Sequence, residues 1–183
     1  MTAGTLSSAQ AAGEIAAIET YSKGIDRYIR THKRSARIFA DVSQDETARW
    51  REFRTERERD RADTGDNLNE NAYVWLRDGK IAGANFTFQS PSRDWAQFVM
   101  YYFRQDGTLA KIDSRLNTFY GNMTVKRIRY YDADGHLLKS SVDYFDLQTQ
   151  KRKRGVADGD FMDRPVPVYM KVSSLPFYNL VRH

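Results

Sequence analysis

Arg127 and Arg129 stand two apart in a run, Met123–Asp132, that alternates like a strand, so both guanidiniums project from one face. Two arginines placed so could hold a carboxylate or phosphate through paired hydrogen bonds. If the face is covered they need acids, since unpaired buried charge is costly. Glu14, Glu19 and Asp26 of the N-terminal segment are the nearest candidates in that case. Acid–base chemistry would have to draw on Asp113 and Asp143, with Arg115 and Tyr102 or Tyr130 as polar neighbours. The inferred strand register sets the two acids several residues apart, which suits solvated surface charges better than a catalytic pair. His32, His136 and His183 fall in different elements, and none has a second histidine or an acid at ligand spacing. Cysteine is absent, and so are a glycine-rich phosphate loop and a nucleophile elbow. The sequence therefore assigns no catalytic residue, no metal and no cofactor.

The element that must position these groups is a sheet. Asp78-Gly79, Asp106-Gly107 and Asp134-Gly135 recur 28 residues apart, each between runs rich in Val, Ile, Thr, Tyr and Phe. Asp-Gly supplies the positive φ that a tight hairpin turn demands. Strands are expected at 73–77, 80–89, 95–105, 108–120, 123–132 and 136–147, with Gly121-Asn122 as a further two-residue turn. The spacing is a structural periodicity; beyond the turns the three hairpins share little sequence.

Residues 8–31 read as an amphipathic helix, with Ile15, Ile18, Ser22, Ile25 and Ile29 on one stripe. Residues 37–42 fit a last helical turn or a short strand. A second, mostly solvated helix is expected over 44–62, opened by a Ser43/Glu46 capping box and supported by the pairs Asp45–Arg49 and Arg54–Glu58. The division is then a disordered start at 1–7 and one α+β domain at 8–183. Its parts are a helical portion (8–63), a β-meander (71–147) and an extended tail (148–183) that packs back.

Two-residue turns fix the register. Phe103 then faces Ala110, Tyr101 faces Ile112 and Gln97 faces Leu116. With Trp95 and Val99 these form one apolar face, taken as the side the first helix covers. The other face pairs Tyr102 with Lys111, Met100 with Asp113 and Phe98 with Arg115. Across Gly121-Asn122, Leu116 meets Arg127 and Ser114 meets Arg129, while Lys126 lies opposite Asp143.

The phrase Tyr130-Tyr131-Asp132-Ala133-Asp134-Gly135-His136-Leu137 resembles the tyrosine/Asp-Gly hairpins of YD-type and MORN-type repeat proteins, a resemblance that implies a hairpin and nothing further. A helix over a curved meander is similar in layout, with no shared motif, to periplasmic lipid-carrier half-barrels.

The formal net charge is +5, and residues 148–183 hold 7 basic against 3 acidic residues. The excess gathers in the tail rather than on a folded face, which weighs against nucleic acid as a partner. No apolar run reaches the ~18 residues of a membrane span. Ala9-Gln10-Ala11 has small residues at signal-peptidase spacing, without an apolar run before it. On that ground a periplasmic or secreted location is expected over a cytoplasmic one.

The expected fold is an α+β, six-stranded, twisted antiparallel meander covered on one face by the N-terminal helix, curling towards a half-barrel or cone. The expected function is a non-enzymatic module that binds a small apolar or anionic ligand, or a protein. Its groove would be lined by Phe86, Phe88, Trp95, Phe98, Met100 and Tyr102, with Arg115, Arg127 and Arg129 as its charges. A small enzyme of the helix-over-sheet cone type is the alternative, and a homodimer formed through an exposed edge strand is the third.

Overall fold

The computed structural model describes residues 7–43, 47–62, 68–157 and 159–182. Helix α1 (Ser8–Thr31) begins where Ser7 and Gln10 cap each other, side chain to backbone in both directions. Strands β1 (Arg37–Asp41) and β2 (Trp50–Phe53) and a short helix α2 (Glu56–Ala62) follow. Then come β3 (Glu70–Arg77), β4 (Lys80–Gln89), β5 (Trp95–Phe103), β6 (Leu109–Thr118), β7 (Met123–Tyr131), β8 (Leu137–Asp146) and β9 (Arg152–Lys153). A one-turn helix α3 (Tyr178–Val181) ends the described chain. All nine strands form one open antiparallel sheet in the order β2-β1-β3-β4-β5-β6-β7-β8-β9. Among the described residues no helix is long and apolar enough to cross a membrane.

The helix expected over 44–62 is a strand and a two-turn helix instead. Trp50 and Phe53 are three apart, so a helix would put both on one side, whereas a strand sends them to opposite faces. Trp50 packs on Phe86 and Phe177, while Phe53 packs with Ile38, Ala40 and Leu68 on the other side. The sheet can bury both residues and a lone surface helix cannot. The expected capping box and the Asp45–Arg49 pair involve residues 44–46, outside the described ones, as does the opening at 1–6.

The three Asp-Gly hairpins differ in their turns and agree in a bulge just beyond them. Asp78 and Gly79, both at positive φ, make the expected two-residue turn. The other two are three-residue loops, closed by Arg104 N to Thr108 O and Asp132 N to His136 O, with only the glycine left-handed. Each hairpin then carries one unpaired residue: Ala82, Ala110 and Leu138, again 28 apart. The bulges at Ala110 and Leu138 restore the register that two-residue turns would give, so Tyr101–Ile112, Gln97–Leu116 and Lys126–Asp143 pair as expected, whereas the bulge at Ala82 moves the first hairpin one residue off it, with Trp75 opposite Gly83. Phe103 lies opposite Leu109, not Ala110. The β6–β7 connection is a four-residue loop, which moves Arg127 opposite Ser114 and Arg129 opposite Ile112, two residues from expectation but on the same face.

Helix α1 lies along the bulges. Ile25 packs on Ala82, Ile18 on Ala110, and Ile15 and Leu138 join the latter cluster. Seven helical residues rise about 10.5 Å and two strand spacings cover about 9.6 Å, so a seven-residue step meets every second strand. Tyr21 and Tyr28 add hydroxyl bonds to the carbonyls of Phe103 (2.7 Å) and Leu76 (2.8 Å).

This places α1 on the face opposite to the one expected. It covers Tyr102 and Lys111, and the tail covers the apolar face of Val99, Tyr101 and Ile112. The reason is volume. The buried stripe of α1 is narrow, with Ile18, Ser22 and Ile25, and fits over the two small bulged residues Ala82 and Ala110. The aromatic face needs the bulkier tail: Phe177 stacks on Phe39 at 4.5 Å and on Phe86 at 5.4 Å, and Tyr169 leans on Tyr101. Hydrogen bonds to its carbonyls hold the tail in place, donated by Tyr101 Oη to Pro167 O, by Gln97 Nε2 to Arg164 O and by Leu109 N to Met170 O. Arg37 grips the last carbonyls, Leu180 O and Val181 O.

Candidate functional site

On the face shared with α1 the side chains fall into cross-strand rows. The first, beneath α1, runs Trp75, Gly83, Tyr102, Lys111, Tyr130, Lys139. The second runs Tyr73, Asn85, Met100, Asp113, Ile128, Ser141. The third runs Asn71, Thr87, Phe98, Arg115, Lys126, Asp143. Neighbours in a row are about 4.8 Å apart, so groups on adjacent strands can act on one ligand.

The first row is a closed polar seal. Lys111 is buried, 3.1 Å from Glu19 of α1, with its ammonium against the rings of Tyr102 and Tyr130 at 5.4 and 5.6 Å. Tyr130 donates its hydroxyl to Glu19, and Tyr102 donates to Asp26 at 2.8 Å. Burial pushes both phenols up, reinforced by Glu19 at Tyr130 and by Asp26 at Tyr102. Burial also acts to raise Glu19, but the bonds from Tyr130 and Lys111 outweigh it and hold the carboxyl below its usual range. Tyr102, Lys111 and Tyr130 are each spent on an acid of α1, so this part of the row fixes the helix, while the buried indole nitrogen of Trp75 at its end keeps no partner.

The second and third rows are open. Asp113 has no hydrogen-bond or ion-pair partner among the described residues. Burial raises its carboxyl; the Lys111 charge opposes this, and Asp26 and Glu19 add to it. Two strands away in the same row, beyond Met100, Asn85 keeps a buried carbonyl oxygen without a partner. Phe98 is 40% exposed. Arg115, directly across from it, is exposed and bonded only to Asn117 (3.1 Å), and Lys126 lies over Phe145 at 4.6 Å. The arrangement is an apolar ring and the half-buried Met100 next to two cations, with Asp113 in the second row and Asp143, paired with Arg152, at the end of the third.

The nine residues expected to line one groove divide between two faces. Phe98, Met100, Tyr102 and Arg115 share the helix side, with Tyr102 closed into the first row. Phe86, Phe88, Trp95, Arg127 and Arg129 belong to the tail side. Phe86 and Phe88 are buried beneath the tail, and Trp95 carries the guanidinium of Arg164 at 4.4 Å. Arg127 is paired at 2.8 Å with Asp163 of the tail, not with an acid of α1. Arg129 is half-buried and has no partner among the described residues.

Sequence reasoning missed Lys111 with Glu19, because it assigned α1 to the other face. It also missed Arg104, which binds Leu109 O and Tyr131 O at 2.6 Å each and so ties the second hairpin to the third. His136 does have acids nearby: Asp132, Asp134 and His136 bring ligand atoms within 4.8 Å of one another. One Asp132 oxygen, however, accepts from the amides of Asp134 and His136, and the other meets His136 Nδ1 at 2.9 Å. That carboxylate is already employed in closing its turn.

Clefts of about 140, 280 and 330 Å3 open at the hairpin end of the sheet, and none is lined by Asp113, Tyr102 or Tyr130. Comparison with protein-family models, with curated proteins and with solved structures finds no match to this chain.

Proposed function

We propose that this protein is a non-enzymatic binding module that holds an amphipathic anion on the open rows of the helix-side face. In this reading the sheet curls around the ligand as an open half-barrel, with α1 along one rim. An apolar body lies on Phe98 and Met100, and the anionic head sits between Arg115 and Lys126. The observation that carries it is the division of aromatic surface. The tail fills the side of Phe86 and Tyr101, while Phe98 stays exposed in a row with two cations.

Catalysis has less support. An acid–base site needs convergent groups, and Tyr102 and Tyr130 are tied to Asp26 and Glu19, which leaves Asp113 alone. Dimerisation has one observation in its favour. Strand β9 pairs only with Tyr144 and Phe145, so Leu137–Asp143 of β8 keeps an open edge. Lys139 stands on that edge, and a second copy would bring like charge to it.

The test is a fluorescence titration with anilinonaphthalene sulfonate, an aromatic anion of the proposed chemistry. Saturable binding by the native protein, lost in Phe98→Ser and in Arg115→Ser but kept in Arg127→Ser, supports the proposal. Binding that survives both helix-side changes sinks it.

A further inference from the structure

The cleft of about 140 Å3 lies between α1 and the hairpin end of β4 and β5. Its floor is the buried Ala82, and one wall is the ring of Tyr21, whose hydroxyl is fixed on Phe103 O; Ile81 borders it but packs into the cluster beneath the tail. Three cations line it, Arg77, Lys80 and Arg104, against one carboxylate, Asp78. Their states differ. Arg104 is locked by backbone carbonyls and lies 3.7 Å from Glu14, so it supplies fixed positive charge more than free donors. Arg77 is about half exposed, and Asp78 stands 3.9 Å away, too far for a hydrogen bond. Lys80 is exposed and has no partner among the described residues. The positive field reaches the cleft wall: burial raises the Tyr21 phenol, and Arg77 and Arg104 both pull against that rise.

We infer that this cleft binds a small organic carboxylate, with the acid group held by Arg77 and Lys80 and a short apolar chain on Ala82 and the Tyr21 ring. Water occupies about 30 Å3 per molecule in the liquid, so the space equals about five waters and suits an acid of a few carbons. The apolar floor selects against a bare inorganic anion, which would leave it wet, and the fixed charge of Arg104 selects against a neutral ligand. The site is separate from Phe98 and Arg115 and does not rest on the helix-side reading.

Calorimetric titration of the full chain with butyrate, butyramide and inorganic phosphate tests the inference. Butyrate is expected to bind saturably at one site, with butyramide weaker by roughly tenfold or more, the loss typical of one charge-assisted contact, and phosphate weaker because it leaves the apolar floor wet. Arg77→Ala with Lys80→Ala, both at exposed positions, lowers butyrate affinity by a similar factor and leaves circular dichroism unchanged. Glu14→Gln removes the acid that competes for Arg104 and tightens binding. No saturable butyrate heat, equal affinity for phosphate, or unchanged affinity in the double variant overturns the inference.

Discussion

Arg127 of β7 donates to Asp163 of the tail across 2.8 Å, with the arginine side chain 11% exposed and the aspartate 58%. The contact joins the middle of the sheet to the segment that closes its aromatic face. Asp163→Ala leaves a nearly buried guanidinium without its acid. A loss of roughly 1–3 kcal/mol in urea denaturation is expected, tempered by the exposure of the aspartate. The loss should shrink at high salt, because one side of the pair meets solvent.

Phe177 anchors the tail at its far end, stacked on Phe39 and buried against Phe86. Phe177→Ala opens a cavity where three rings meet and is expected to cost about 3–5 kcal/mol by denaturant titration. A loss near zero would mean that the tail is not part of the core.

The bulge row makes a separate prediction about α1. Ala110 is buried directly beneath Ile18. Ala110→Leu forces the helix away from the sheet, with an expected cost of roughly 1–3 kcal/mol in thermal unfolding and faster amide exchange along α1. The same substitution at Ala82, beneath Ile25, should behave alike.

Asp113 makes stability depend on pH in a defined sense. Burial raises its carboxyl in the folded state, so between the ordinary aspartate pKa and the raised one the folded protein binds more protons than the unfolded chain. Its contribution is present below the ordinary aspartate pKa and is lost as pH rises through the folded value. Asp113→Asn should therefore raise the melting temperature at neutral pH, with the gain fading in acid. A variant less stable than the native protein at neutral pH would show that the carboxylate has a favourable partner.

Much of the sheet is legible in the sequence because its signals are local. Asp-Gly turns and alternation give the positions of β3 to β8 and their order, and the pairs around Tyr101 and Lys126 follow. The bulges are not legible, since nothing about Ala82 or Ala110 marks it as unpaired. At Ala110 and Leu138 the bulge cancels the longer loop, so correct pairs emerge from an incorrect turn. The choice of face is set by competition between two distant segments. Isoleucines on a helix and aromatics in a tail both seek an apolar surface, and only volume matching on the folded sheet decides between them. Splitting the expected groove residues between two faces follows from the same misplacement. Trp50 and Phe53 fail as a helix for a related reason, since their burial depends on strands far along the chain.

The central claim is that ligand is taken on the helix-side rows and not under the tail. Amide chemical shifts of isotopically labelled protein titrated with anilinonaphthalene sulfonate test it most directly. Saturating shifts grouped at Phe98, Met100, Asp113, Arg115 and Lys126 are predicted, with the tail residues Tyr169 and Phe177 unmoved. Shifts confined to the tail face around Arg127, Arg129 and Tyr169, or no saturating shifts at all, would contradict it.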